Sequence, residues 1–372
     1  MGRPLMPTPQ PLPEPTLRPT PAARHTSAAP PTSAAPPTSA AEGPLVDRFD
    51  RVHRDLRISL TDRCSLRCTY CMPEQGVPWL AKTTMLSTEE LLRLAGVAVS
   101  LGITEVRLTG GEPLLRRDIV DVVAGIAAME GVEGPIEVSM TTNALGLDKA
   151  AQALADAGLT RVNISLDTLR PETFRQMARR DRLDDTLVGI RAAAEAGLTP
   201  VKLNTVLLRD VNDHEAPALL AFALEHGYEL RFIEQMPLDA GHTWHRESMI
   251  TGEEILAWLR TAYELSPVPQ RGSAPAERFF VDGGPATVGV IASVTSPFCG
   301  TCDRVRLTAD GQLRNCLFAA GESDLRTPMR DGASDEELAQ MFRMSIGAKL
   351  PGHGINEPGF LQPPRPMSAI GG

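Results

Sequence analysis

The chain has 372 residues, of which 42% are hydrophobic and 22% are charged, a composition typical of a soluble globular protein with one or two domains. Its formal net charge of −9 argues against a general nucleic-acid binder, whose binding surface is normally basic. No apolar run is long enough to span a membrane, and the N-terminus lacks the apolar core of a secretory signal, so we expect a cytoplasmic protein without membrane or nucleic-acid partners.

Residues 1–44 are dominated by Pro, Ala, Thr and Ser and contain a near-repeat of the type Ala-Ala-Pro-Pro-Thr-Ser. A segment of this composition buries too little apolar surface to offset the entropy lost on ordering. We therefore predict a disordered tail over residues 1–44.

Strand-like and helix-like segments alternate between residues 55 and 237, and the clearest helix is predicted over 87–101, where Ser87 and Glu90 form a capping box. Six β-then-α units predict a parallel sheet with helices outside it, and six is fewer than the eight units of a closed barrel. The predicted fold class is therefore α/β, a partial (β/α)6 TIM-like barrel over residues 45–240. Its predicted strands are 56–60, 105–108, 136–140, 161–166, 201–207 and 230–235.

The pattern changes after residue 240. Residues 265–276 are predicted to form a loop, and Asp310-Gly311 is a two-residue hairpin signal. Short strands are predicted over 278–281, 287–294 and 304–307. We interpret residues 241–372 as a smaller C-terminal region that closes the open side of the barrel.

All six cysteines fall into two groups of three, which suits metal ligation in a reducing compartment better than disulfides. The first group is Cys64, Cys68 and Cys71, and its spacing lets three thiolates converge on one side of a short loop. Three cysteines on a four-iron cluster leave one iron open to a small molecule, whereas zinc more often takes four protein ligands. The spacing therefore favours an iron–sulfur cluster.

The second group is Cys299, Cys302 and Cys316. A strict two-residue hairpin turn would place Cys316 on the strand face opposite Arg304, so a bulge or a longer loop is needed to bring the three thiolates together. On spacing alone, a second iron–sulfur cluster and a structural zinc site completed by a histidine such as His353 both remain open.

Several candidate binding residues follow predicted strands. Gly111 and Glu112 belong to a Gly-Gly-Glu-Pro run after strand 105–108, and Thr141, Ser165 and Met236 lie near the ends of three others. Glycine lets the main chain approach a ligand, and a carboxylate can bind the ammonium group of an amino acid. Because parallel sheets bind ligands at the carboxyl ends of their strands, we predict a binding site there.

The CxxxCxxC motif with Tyr70 before its last cysteine, followed forty residues later by Gly-Gly-Glu-Pro, resembles the radical S-adenosylmethionine (SAM) superfamily. Within it, residues 297–311 and 368–372 resemble the GTP 3′,8-cyclase family of molybdenum cofactor biosynthesis, and the resemblance extends from Leu45 to the last residue. Ala144 departs from the family pattern, which has glycine there.

The resemblance implies two 4Fe-4S clusters, with SAM bound at the first and GTP at the second. The implied cluster ligands are Cys64, Cys68, Cys71, Cys299, Cys302 and Cys316. The implied SAM-binding residues are Tyr70, Gly111, Glu112, Ser165 and Met236. The implied GTP-binding residues are Arg57, Arg107, Thr141, Lys202, Arg304 and Arg306. Catalysis is assigned to the first three cysteines with Arg57, Arg304 and Arg306. A triphosphate needs such a concentrated cationic pocket in an acidic protein.

The implied reaction removes hydrogen from C3′ of GTP with a 5′-deoxyadenosyl radical and joins C3′ to C8, which gives 3′,8-cyclo-7,8-dihydro-GTP. The implied partners are an electron donor such as flavodoxin or ferredoxin and, for handover of the product, cyclic pyranopterin monophosphate synthase. A monomer and a homodimer are both compatible with the sequence. Two alternatives remain: a radical SAM enzyme that matures a peptide, and a non-catalytic regulator whose cysteines hold zinc or redox-sensing clusters.

Overall fold

The computed structural model describes residues 43–371. The tail predicted over residues 1–44 therefore lies outside the described residues except for its last two positions. No helix in the described part of the chain is long and apolar enough to cross a membrane.

The strands are short and, apart from one two-stranded hairpin, belong to one sheet. They are β1 (Asp55–Ser59), β2 (Glu105–Thr109), β3 (Glu130–Gly131), β4 (Gly134–Pro135), β5 (Glu137–Thr142), β6 (Leu159–Ser165), β7 (Lys202–Val206), β8 (Glu229–Ile233), β9 (Leu265–Pro267), β10 (Glu277–Val281), β11 (Thr287–Ile291), β12 (Arg304–Leu307), β13 (Gln312–Arg314) and β14 (Ser323–Asp324).

Helices connect most of the parallel strands. They are α1 (Thr88–Ser100), α2 (Ile119–Ala127), α3 (Ala151–Asp156), α4 (Pro171–Ala178), α5 (Leu183–Glu195), α6 (Ala216–His226), α7 (Gly252–Leu259), α8 (Arg326–Arg330), α9 (Asp335–Gly347) and α10 (Met367–Ile370). The predicted capping box is confirmed, because the Ser87 side chain accepts from the amide of Glu90 and the Glu90 side chain accepts from the amide of Ser87.

The main sheet has twelve strands in the order β14-β13-β12-β1-β2-β5-β6-β7-β8-β11-β10-β9. The central run from β12 to β11 is parallel throughout. The α/β class and all nine predicted strands are confirmed, with small shifts at their ends. In the described chain the two terminal strands of the order, β14 and β9, are not paired with each other, so the sheet is not a closed barrel.

Buried apolar side chains from alternate positions of these strands pack against the helices and form one large core. Leu56 and Ile58 of β1 and Leu108 of β2 are fully buried there. The other face of the same strands carries charged residues, Arg57 and Arg107 among them, because successive side chains point to opposite faces. This polar face is where the site lies.

Two sequence predictions for the C-terminal region are wrong in detail. Leu265–Pro267 is strand β9 rather than loop, because it pairs with β10. The hairpin after β12 has a three-residue loop, 309–311, rather than a two-residue turn: the amide of Thr308 donates to the carbonyl of Gln312 and Arg306 pairs with Arg314. Gly311 adopts φ +75°, which such a loop requires at its last position.

Candidate active site

Two adjoining cavities lie on the polar side of the sheet, and the first is at the carboxyl ends of the parallel strands, as predicted. The loop after β1 lines the first cavity, and the polar faces of β1, β2 and β12 line the second. The cavities share part of their walls, so that a ligand in one would face a ligand in the other. The shared residues are Tyr70, Thr141, Ser165, Asp167, Val206, Ile233, Met236 and Met367.

The first cysteine triad lies in the wall of the first cavity. Hydrogen-bond donors face its sulfurs: Nδ2 of Asn143 is 3.7 Å from Sγ of Cys64, and the amide of Ser368 donates to Cys71. Burial raises the pKa of all three thiols, and that of Cys71 to about 12. Without a metal these thiols therefore stay protonated.

Partly buried, unpaired thiols that face donors suit thiolate ligands of iron, since metal binding removes the proton and stabilises the charge. Within residues 43–371, no three ligand side chains come close enough together to hold a single metal ion. A four-iron cluster holds each thiolate on a different iron and so needs wider spacing. The three thiols of the first triad fit such a cluster.

Gly111 joins the strand-end run to the cysteine loop. Its amide donates to the carbonyl of Thr61 at 2.7 Å, and the amide of Glu112 donates to the carbonyl of Arg63 at 2.7 Å. A Cβ at Gly111 would lie 2.3 Å from the Arg63 carbonyl oxygen, closer than real Cβ atoms approach. Glycine is therefore required here by the loop itself.

Glu112 lines the first cavity but is only 1% exposed. Its Oε1 accepts from the Thr142 hydroxyl at 2.6 Å and its Oε2 from the amide of Asn143 at 2.8 Å. Burial raises the pKa of this carboxyl to about 7 despite those hydrogen bonds. Glu112 thus braces the ends of β2 and β5 against each other.

All five predicted SAM-binding residues line the first cavity. The Tyr70 hydroxyl donates to Oδ2 of Asp167 at 2.8 Å, and Oδ1 of Asp167 accepts from the amide of Val206. Burial raises the pKa of Asp167 to about 6. Asp167 was missed by the sequence analysis, although its place two residues after Ser165 at a strand end could have indicated it.

The second triad lines the second cavity. The three-residue loop after β12 explains this placement of Cys316. The loop pairs Arg306 with Arg314, and two residues further from the loop the same register sets Cys316 beside Arg304 on the same face. Sγ of Cys302 lies 3.6 Å from Nζ of Lys349 and 3.9 Å from the Arg304 guanidinium. Burial raises the pKa of Cys302, but these two cations outweigh it, and the net pKa is lowered.

Arginines form a row across the polar face of the sheet. Arg306 pairs with Arg57 and Arg57 with Arg107 on three neighbouring parallel strands. These three and Arg304 line the second cavity and are only 5–9% exposed. Asp55 is ion-paired with Arg57 and Arg304, at 3.4 and 3.7 Å. Burial, followed by the charge of Arg57, lowers the pKa of Arg306 to about 9.

Positive charge exceeds negative charge in this wall. Within the described chain, Asp167 is the one carboxylate that lines the second cavity. Arg231 of β8 also lines it and was missed, although its position between buried Leu230 and Phe232 marks the polar face. Burial lowers the pKa of Arg231 to about 10.

The predicted residue Lys202 is not part of either cavity wall. It begins β7, its Nζ is 3.6 Å from Glu229, and burial lowers its pKa to about 8. Thr141 lines both cavities. Ala144, where the family pattern has glycine, adopts φ +64°. An alanine in that left-handed region is strained.

Two further residues bear on the second cavity. Both ring nitrogens of His353 are engaged by the main chain, Nε2 with the Ser293 carbonyl at 3.1 Å and Nδ1 with the Ile355 amide at 3.2 Å, which leaves neither free for zinc. Gly371 is buried, and its carbonyl accepts from Arg306 at 2.5 Å.

The chain matches two family models, the Radical SAM superfamily over residues 58–223 and Molybdenum Cofactor Synthesis C over residues 228–355. Fold, cysteine loop and first cavity thus define a radical SAM enzyme. A GTP 3′,8-cyclase of Streptomyces coelicolor is 60% identical over 88% of this chain and 96% of its own length, and one of Mycobacterium sp. (strain KMS) is 57% identical over 89% and 94%. The chain belongs to the GTP 3′,8-cyclase family.

Among solved structures, Streptococcus suis SuiB bound to precursor peptide SuiA is similar with a TM-score of 0.58 over 81% of this chain and 68% of that one. At 14% sequence identity this likeness supports the α/β fold alone.

Proposed function

We propose that this chain converts GTP to 3′,8-cyclo-7,8-dihydro-GTP, the first step of molybdenum cofactor biosynthesis, with SAM and two 4Fe-4S clusters as cofactors. The observation that carries the proposal is the pair of connected cavities, each with its own cysteine triad, one of them walled by arginines. A reduced cluster with SAM bound supplies a 5′-deoxyadenosyl radical.

The residues of the first cavity bind and orient SAM. Cys64, Cys68 and Cys71 would hold the first cluster, and that cluster would bind the amino acid end of SAM. Tyr70 and Ser165 stand at the junction of the cavities, where the adenosyl group must face the substrate. The Asp167 hydrogen bond fixes the Tyr70 ring in that wall.

The second cavity binds GTP. Arg57, Arg107 and Arg304 share the carboxylates of Asp55, Glu105 and Asp303, whereas no carboxylate in the described chain forms an ion pair with Arg306. Within the cavity wall the cations still outnumber the carboxylates, so a bound triphosphate would relieve the repulsion between them. Arg231 joins this set. Lys202, the first residue of strand β7, acts through Glu229 and Arg231 at the edge of the site rather than from the cavity wall. Cys299, Cys302 and Cys316, which line the same cavity, would hold the second cluster, and that cluster would bind the guanine ring.

The chain's own contribution to the reaction is placement and exclusion of water. Buried walls on both sides of Thr141 and Met236 keep C3′ of GTP near the adenosyl carbon and away from other hydrogen donors. No side-chain acid or base is needed for the hydrogen abstraction itself.

The same proposal covers the domain organisation and the cellular context. Strands β1, β2, β5, β6, β7 and β8, which are consecutive in the sheet, form a partial (β/α)6 barrel over residues 45–240, and residues 241–372 complete the cavity. The protein acts in the cytoplasm, receives electrons from a flavodoxin or ferredoxin, and passes its product to cyclic pyranopterin monophosphate synthase, as a monomer or homodimer.

The test is anaerobic. The reconstituted, reduced protein receives SAM and GTP deuterated at C3′, and the deoxyadenosine formed is analysed by mass. We expect deuterium in deoxyadenosine and loss of all deoxyadenosine in a Cys68→Ala variant. Cys302→Ala should abolish cyclisation while SAM binding persists. Unlabelled deoxyadenosine would refute GTP as the hydrogen source and favour a peptide substrate, and none at all with intact clusters would favour a regulator.

A further inference from the structure

Lys349 is a buried cation outside both cavities. It follows helix α9 and is 3% exposed. Its Nζ lies 2.8 Å from the carbonyl oxygen of Arg304 and 3.6 Å from Sγ of Cys302. Lys349 does not line the second cavity, whereas Cys302 and Arg304 do. The ammonium therefore approaches the sulfur from the protein side and cannot contact a substrate in the cavity.

The neighbouring groups leave the charge of Lys349 without a carboxylate. Arg51 is held by Asp47 at 2.6 Å and donates to the carbonyls of Cys299 at 2.7 Å and Leu350 at 2.7 Å. His53, also near, is buried and bonded to the same Asp47. Within residues 43–371, no carboxylate forms an ion pair with Lys349.

A buried ammonium needs an anion, because burial removes the water that stabilises its charge. The groups that face Lys349 with negative charge are the sulfurs of Cys302 and Cys316 once they are thiolates. Arg51 meanwhile fixes the main chain on both sides of this contact, at Cys299 and at Leu350, so that the ammonium and the sulfur are held in place.

We propose that Lys349 is a positioning residue for the second cluster: it donates a charge-assisted hydrogen bond to the Cys302 thiolate and stabilises the reduced cluster. This inference rests on the second cluster of the proposed function. A 4Fe-4S cluster with three thiolate ligands becomes more negative on reduction, and a fixed cation beside one of its cysteine sulfurs stabilises the more negative state. Lys349 thus raises the reduction potential of the cluster that faces GTP.

The test measures that potential in the full chain. A Cys64→Ala, Cys68→Ala, Cys71→Ala background removes the first cluster, and the remaining one is titrated potentiometrically with detection by electron paramagnetic resonance. At the midpoint potential of this background, Lys349→Met should lower the ratio of reduced to oxidised cluster at least tenfold, about 59 mV for one electron. Lys349→Arg, which keeps the charge, should stay within about threefold, or roughly 28 mV. Lys149→Met, at an exposed lysine, should change nothing.

An unchanged potential in Lys349→Met, with full cluster content, would overturn the inference and leave the proposed function intact. Should Lys349→Met lose the cluster, Lys349→Arg decides: retention of the cluster supports the role of the charge, and equal loss refutes it. Iron and sulfide for one cluster only in the unmodified protein would instead refute the second cluster, and with it the proposed function.

Discussion

Gly111 is the position where one added methyl group should displace the loop that carries the first cysteine triad. In a Gly111→Ala variant the new Cβ would meet the Arg63 carbonyl oxygen at 2.3 Å and that of Asp62 at 2.7 Å. Both are main-chain atoms, so no side-chain rotation relieves the contact. Separation would stretch the two main-chain hydrogen bonds of 2.7 Å that join the segments.

Two lost hydrogen bonds at about 1 kcal/mol each, together with overpacking of about 1–3 kcal/mol, predict destabilisation of roughly 3–5 kcal/mol. Urea unfolding of the metal-free protein, followed by circular dichroism, measures it, and the variant should also bind less iron. Gly96→Ala is the matched control: the site lies in α1 with nothing within 4 Å of the new Cβ, and we expect a gain of about 0.5–1 kcal/mol. A Gly111→Ala variant within 0.5 kcal/mol of the parent, as ordinary surface substitutions are, with full iron, would refute the reasoning.

Three further predictions concern other parts of the molecule. Burial lowers the pKa of His53 to about 4, so the folded state binds a proton at this ring less readily than the unfolded chain does. Between pH 7 and pH 5 the metal-free protein should therefore lose about 2 kcal/mol of stability that a His53→Gln variant retains. Equal losses of stability in urea titrations of the two proteins would contradict this. Arg365 donates to both carboxylate oxygens of Asp310, at 3.0 and 2.8 Å, and so ties the C-terminal segment to the 309–311 loop. Arg365→Ala should therefore speed amide exchange in residues 363–371 at least about tenfold, and protection equal to the parent would show that this ion pair does not hold the segment. Arg306→Gln should weaken GTP binding about 10–100-fold by calorimetry, against no change in the exposed Arg260→Gln, and equal affinities would place the triphosphate elsewhere.

The elements of the fold were largely predictable because their signals are local. Alternation of apolar residues marks each of the nine predicted strands, and Ser87 with Glu90 marks the start of α1. The first triad was equally local, since its three cysteines share one loop. The arginine row was not, because Arg57 and Arg306 become neighbours only through the pairing of β1 with β12.

The remaining differences also arise from long-range or conformational effects. The position of Cys316 depends on one extra loop residue, which only the left-handed backbone of Gly311 allows. Lys202 has the apolar neighbours of an inward-facing residue, yet its place at the start of β7 keeps it out of the cavity wall. Lys349 carries no signal at all in the sequence, since its contact with Cys302 spans different elements of the chain.

The pairing of β1 with β12 has a consequence for synthesis of the chain on the ribosome. Asp55 is paired with Arg304, and at about 5–20 residues per second the chain between them takes roughly 12–50 s to make. During that interval the first strand has one unpaired edge, and β8 likewise awaits β11. A nascent chain that already carries the whole first cysteine motif therefore still lacks strands at both ends of its sheet. The nascent chain therefore needs protection from aggregation until the last fifth of the chain, which begins with β12, has been synthesised.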